Sequence, residues 1–135
     1  MKLNLGSGEY RLEGWVNIDI RELPEVDLVY DLNRGIPFGN NIIDEIVASH
    51  VLEHIENPHF LMNEMLRVCR PNAVVEIRVP LDQIWQKEHL TYFYEDWFDR
   101  NCTRDWQIIS KEIGDSTNIK GDTYQELAVK LKARP

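Results

Sequence analysis

Gly6-Ser7-Gly8 sets two glycines around a turn, and Asp19 ends the next short apolar run. A Cβ at either glycine would obstruct the turn or an approaching ligand, so the main chain there can touch a bound molecule. A carboxylate at a strand end can accept both hydroxyls of a ribose, in charge-assisted hydrogen bonds worth about 1.5–3 kcal/mol each. Together the two features describe a nucleoside site. A dinucleotide would ask for a third glycine, a helix N-terminus on the pyrophosphate and an acid about 20 residues further on. Arg11 stands where the third glycine would be, and residues 9–15 leave room for little more than one helical turn. The expected ligand is therefore a nucleoside without a pyrophosphate.

His50-Val51-Leu52-Glu53-His54 is the second chemistry-bearing segment. H-x-x-E-H is also the inverzincin zinc-hydrolase pattern, in which two histidines share one face of a long helix. Here His50 directly follows a β-rich run and Asn57-Pro58 restarts the chain soon after His54, so that helix has no room and no metal is expected. Val51, Leu52 and Ile55 read as apolar packing, whereas His50 is the first residue beyond a strand and faces the ligand end of the sheet. His50, His54, His89 and Asp82 are the side chains that could accept a proton near neutral pH. The aromatic run from Trp85 through Tyr92, Phe93, Tyr94, Trp97 and Phe98 reads mainly as core.

These residues need strands behind them. Residues 2–5, 15–20, 26–32 and 44–49 are β-rich and punctuated by turn formers, notably Gly35, Pro37, Gly39, Asn40 and Asn41. Asn57 as cap and Pro58 at the first position open a helix, whose face carries Leu61, Met62, Met65, Leu66 and Cys69; Arg70-Pro71-Asn72 stops it. Residues 73–79 form the fifth strand. Residues 106–113 and 126–132 form a closing antiparallel hairpin joined through 114–121. The fold class is α/β: a Rossmann-like, mostly parallel sheet with a C-terminal antiparallel hairpin and minimal helix after strand 1. Ligands of such sheets sit beyond the carboxyl ends of the strands, where the residues above lie.

The 135 residues suffice for one domain, residues 1–135, with one core. No apolar run approaches about 18 residues, and the chain enters its first strand without a leader, so a cytoplasmic protein with no membrane contact is expected. Cys69 and Cys102 read as reduced thiols. The 23 acidic residues outnumber the 15 basic ones, for a net charge of −8. That field repels polyphosphate, so nucleic acid is disfavoured as a partner.

The segments LNLGSGEYRLEGWVNIDI (3–20), DLVYDLNRGIPF (27–38), DEIVASHVLEHIENP (44–58), LRVCRPNAVVEIRVP (66–80) and EHLTYF (88–93) resemble the class I S-adenosylmethionine-dependent methyltransferases, particularly a compact methyltransferase-11-like branch. The resemblance covers residues 3 to 98. It implies S-adenosylmethionine as cofactor, with Gly6, Ser7 and Gly8 along its methionine part, Asp19 on the ribose, Ile20 on the adenine, and Asp31 and Leu32 at the adenine edge. Ser49, His50 and Leu52 would lie beneath the methyl donor, and His50 and His89 are the catalytic candidates.

Methyl transfer to a small metabolite or glycan precursor is the implied function, with a non-catalytic S-adenosylmethionine-binding module as the alternative and a zinc hydrolase through His50, Glu53 and His54 as the least favoured. Three departures stand out: the helix after strand 1 is nearly absent, Pro71-Asn72-Ala73 replaces Pro-Gly-Gly, and only 46 residues follow His89. An acceptor cover built from so few residues would be small, or completed by a second copy of the chain or a partner protein.

Overall fold

In a computed structural model, which describes residues 1–81, 88–102 and 104–135, the apolar alternations become one seven-stranded sheet. The strands are β1 (Lys2–Leu5), β2 (Val16–Asp19), β3 (Leu28–Val29), β4 (Ile43–Ser49), β5 (Cys69–Pro80), β6 (Trp106–Thr117) and β7 (Thr123–Ala133), in the order β3-β2-β1-β4-β5-β7-β6. The first five run parallel, and β7 inserts antiparallel between β5 and the edge strand β6. The order reverses between β1 and β4, which is where a ligand cleft forms in open sheets of this kind.

Among the described residues, only one crossover is an α-helix of several turns. It is α1 (Pro58–Val68), between β4 and β5: Asn57 Oδ1 accepts from the Phe60 amide at 3.1 Å, and Leu61, Met62, Met65 and Val68 are buried against the sheet. The link from β1 to β2 contains no helix and is organised by buried amides instead. Asn4 Nδ2 donates to Asn17 Oδ1 (2.9 Å) and to the Tyr10 carbonyl (2.8 Å), while Asn17 accepts from the Leu12 amide and donates to Asp27 Oδ2 (2.9 Å). A buried amide with its donors and acceptors paired fixes a loop that lacks its own ladder.

Three local differences from the sequence expectation have clear causes. The third strand is reduced to Leu28–Val29, because the side chain of Asp27 is held by the Asn17 amide and Arg11, and Asp31 turns the chain into a 3₁₀ segment by accepting from the Asn33 amide at 2.9 Å. The fifth strand starts at Cys69 rather than 73, so Cys69 belongs to a strand and not to a helix face; Asn72 absorbs the irregularity at φ 70°. The closing hairpin is longer than expected, since β6 and β7 go on pairing past Gly114, up to Thr117 opposite Thr123, and only residues 118–122 turn.

In the aromatic run, Phe93 and Phe98 are fully buried and stack on each other, and Trp97, which opens the short helix α2 (Trp97–Asn101), meets both edge-on. Trp85 and Asp82 lie outside the described residues. Cys69 and Cys102 are buried free thiols, and burial pushes both up to about 12.

Candidate functional site

At the carboxyl ends of β1, β2 and β4 lies a cavity of about 300 Å³. Gly6, Asp19, Ile20, Asp31, Leu32 and His50 line it, so the parallel strands bring together six of the predicted site residues. Gly6 adopts φ +62°, and a Cβ there would collide with Cγ2 of Val51. Asp19 is buried at the end of β2. Its Oδ2 accepts from the Gly8 amide (2.8 Å), and its Oδ1 accepts from the Arg21 amide (2.9 Å) and Arg21 Nε (3.2 Å). Burial alone would raise this carboxyl, but those hydrogen bonds outweigh it and hold it below the usual range, so Asp19 is a carboxylate at neutral pH.

The other predicted positions stand outside that lining. Gly8, at φ +51°, reaches the site through its amide on Asp19. Ser7 is buried and its hydroxyl has no hydrogen-bond partner among the described residues. Ser49 ends β4 on the exposed side, and Leu52 is fully buried core rather than a cavity wall. Ile20 is largely exposed at the cavity mouth, as an apolar contact for a planar ligand would be.

His50 occupies the turn after β4 at φ 57°, an uncommon conformation for a non-glycine residue. Leu52–His54 is a single 3₁₀ turn, so His50 and His54 do not share the face of a long helix and the inverzincin arrangement is absent there. His50 Nε2 lies 2.7 Å from Glu126 Oε2 on β7, and its Nδ1 lies 3.3 Å from Glu53 Oε2. Burial lowers the affinity of the ring for a proton, but the Glu53 and Glu126 carboxylates outweigh burial and raise its pKa.

A second cavity of about 390 Å³ opens on the other side of that turn, lined by His50, Glu53, His54, Pro80, His89, Asn118, Ile119 and Tyr124. His50 and His54 belong to both cavities and form the wall between them. His89, the other catalytic candidate, faces this second space; burial lowers its pKa.

Sequence reasoning missed Arg21, Tyr30 and Asn33 in the first cavity and Tyr124 and Glu126 beside the second. Tyr124 and Glu126 alternate with Leu127, Val129 and Leu131, so period-2 reading places them on the face opposite the core set. Nothing in the sequence said which strand that face would meet.

A glycine turn, a buried carboxylate and apolar walls meet at the strand-order switch of a Rossmann-like α/β sheet. Solved structures share this architecture. One is a S-adenosylmethionine-dependent methyltransferase of Methanosarcina mazei (TM-score 0.74, 13% identity, covering 98% of this chain and 92% of that one). Another is the Burkholderia thailandensis 1,6-didemethyltoxoflavin-N1-methyltransferase with bound 1,6-didemethyltoxoflavin and S-adenosylhomocysteine (TM-score 0.74, 12% identity, covering 99% and 71%). Demethylmenaquinone methyltransferase of Paenarthrobacter aurescens is 26% identical over 82 residues, 58% of this chain. The chain spans about a third or less of the length of the curated relatives it matches. A family model described as a methyltransferase domain matches residues 11–112, and the chain belongs to that family.

Proposed function

We propose that this chain binds S-adenosylmethionine in the first cavity and transfers its methyl group to a small molecule held in the second. One observation carries the reading: the buried, ionised Asp19 at the end of β2, facing a cavity that the Gly6 turn also borders. The residues fit the cofactor. Asp19 would supply acceptors for two ribose hydroxyls, Ile20 and Leu32 would offer apolar contact to a base, and Asp31 would meet its edge. The Gly6 and Gly8 turn leaves space and backbone groups for the amino-acid end. Ser7, Ser49 and Leu52 would support that turn and the floor of the site from behind.

When bound, the sulfonium supplies a methyl group already activated for in-line displacement, so the protein's contribution is alignment and exclusion of water. His50 stands in the wall between donor and acceptor spaces and, bridged to Glu126, is the side chain placed to hold a proton released by an acceptor hydroxyl. His89 lies across the acceptor space.

The mixed lining of the second cavity suits a compact polar or ring-bearing metabolite or glycan precursor, and demethylmenaquinone and 1,6-didemethyltoxoflavin, which give two of the similar proteins their names, are small molecules. The net charge of −8 weighs against nucleic acid. Among the described residues no helix is long and apolar enough to cross a membrane, and the two buried free thiols accord with a reducing, cytoplasmic setting. The 135 residues act as one methyltransferase-like unit, and the second cavity is open enough for a second copy or a partner protein to cover the acceptor.

Calorimetry with S-adenosylhomocysteine tests the reading. Saturable one-to-one binding is expected, and none at millimolar ligand would remove it. Binding without methylated product across several acceptor classes would leave a cofactor-binding module in its place.

A further inference from the structure

The cavity assigned to the acceptor contains a group the methyl-transfer reading does not use. The Glu53 side chain is 1% exposed, and neither of its carboxylate oxygens has a hydrogen-bond partner among the described residues. Its contact with His50 Nδ1 falls short of hydrogen-bond geometry, and His50 is already shared with Glu126 at 2.7 Å. Glu53 shares its one nearby cationic partner, His50, with Glu126, and a buried carboxylate so incompletely compensated is a position that suits a bound cation. His89 Nδ1 is likewise buried and without a partner.

Glu53, His54 and His89 each present a ligand atom, all within 4.8 Å of one another. Ligand atoms around an ion at about 2.1 Å stand roughly 3–3.5 Å apart, so a modest contraction would close the set. The backbone holds these side chains together from both directions. Leu90 N donates to the Glu53 carbonyl at 2.7 Å, and the His54 Nδ1 is 3.1 Å from the Glu88 carbonyl, so the peptide carrying His89 is tied to the 3₁₀ turn on either side of it. An Nδ1–H donated to a backbone carbonyl is also how metal-bound histidines are commonly oriented, leaving Nε2 with the free lone pair.

We propose that Glu53, His54 and His89 bind one divalent transition-metal ion at the wall of the second cavity. One carboxylate and two imidazoles match zinc, manganese, iron(II) or cobalt(II) rather than the all-oxygen preference of calcium or magnesium. Three protein ligands leave positions open toward the cavity, and an acceptor oxygen is the natural occupant; that last assignment rests on the methyl-transfer reading, while the ion site does not. This ligand set differs from the rejected hydrolase pattern, because it replaces His50 with His89, 36 residues beyond Glu53.

The test titrates chelator-stripped full-length chain with Zn²⁺ and with Mn²⁺, without S-adenosylmethionine, by calorimetry and by elemental analysis after dialysis. One ion per chain is expected, and Glu53→Gln and His89→Asn should each weaken binding at least tenfold. His59→Asn, whose ring bonds Asn101 elsewhere, should bind like the parent. Metal should raise the melting temperature of the parent and should not raise that of Glu53→Gln. No stoichiometric ion in the parent, or parent-like affinity in Glu53→Gln and His89→Asn, overturns the site. If Glu53→Gln fails to fold, His89→Asn decides alone. S-adenosylhomocysteine binding by the metal-free protein is scored separately, so loss of the ion site and loss of the cofactor reading are distinguishable.

Discussion

Replacing Asp19 by Asn keeps the side-chain shape and removes the charge that is proposed to grip the ribose. Three hydrogen bonds converge on this carboxylate without ligand, from the Gly8 amide, the Arg21 amide and Arg21 Nε. An Asn can accept with one oxygen only, so its NH₂ group must face one of those donors. Charge-assisted bonds are worth about 1.5–3 kcal/mol and neutral ones about 0.5–1.5. Loss of the charge from two ribose contacts therefore weakens binding by about 2–3 kcal/mol, or roughly 30- to 150-fold in Kd.

The companion variant is Arg21→Ala. The Arg21 side chain is 62% exposed, and its Nε competes with the ribose for Oδ1. Surface pairs of this kind contribute about 0.2–1 kcal/mol, so releasing it should leave affinity unchanged or tighten it up to about fivefold. Calorimetry with S-adenosylhomocysteine on both variants, with thermal unfolding run in parallel to confirm that each is folded, separates the effects. A folded Asp19→Asn protein that binds within about threefold of the parent refutes the reasoning.

Gly6→Ala forces a Cβ onto a backbone at φ +62° and into Val51, so it should lose at least about 1–2 kcal/mol of stability by urea unfolding, together with cofactor binding. Asp27, held by Arg11 and by the Asn17 backbone and side-chain amides, has its pKa lowered from 3.8 to about 2. Its contribution to stability is full above the unfolded value and disappears as pH falls through about 2, so Asp27→Asn should flatten the acid limb of a stability-versus-pH curve between about 4 and 2 and leave its neutral shape unchanged. Arg67 Nη1 and Nη2 donate to the carbonyls of Phe38 and Ile36 at 2.9 Å, and its guanidinium pairs with Glu64, which accepts from the Ile36 amide. Arg67→Ala should cost about 1–3 kcal/mol in urea unfolding by leaving those groups unpaired.

The parts of this molecule legible from sequence are those that local chemistry decides. Asn57-Pro58 and the spacing of Leu61, Met62 and Met65 identify α1 because cap and periodicity agree. Gly6, Asp19, Asp31 and Leu32 share a cavity because strand ends in a parallel sheet converge on one edge. What escaped is set by partners distant in sequence. The long β6–β7 ladder overrides Gly114 through continuous cross-strand pairing, and β3 shrinks because Asp27 is taken by Asn17 and Arg11. Glu126 meets His50 only because β7 inserts next to β5, an order no single segment encodes. The Glu53, His54 and His89 cluster was half visible as H-x-x-E-H, but its third member depends on the backbone bonds that dock residues 88–91 on the 3₁₀ turn.

A crystal structure grown with S-adenosylhomocysteine is the most direct trial of the nucleoside assignment. Both ribose hydroxyls should lie within hydrogen-bond distance of the Asp19 carboxylate, with the Arg21 side chain turned away and Ile20 against the adenine. Ligand bound elsewhere, or a ribose out of reach of an Asp19 still paired with Arg21, would contradict it.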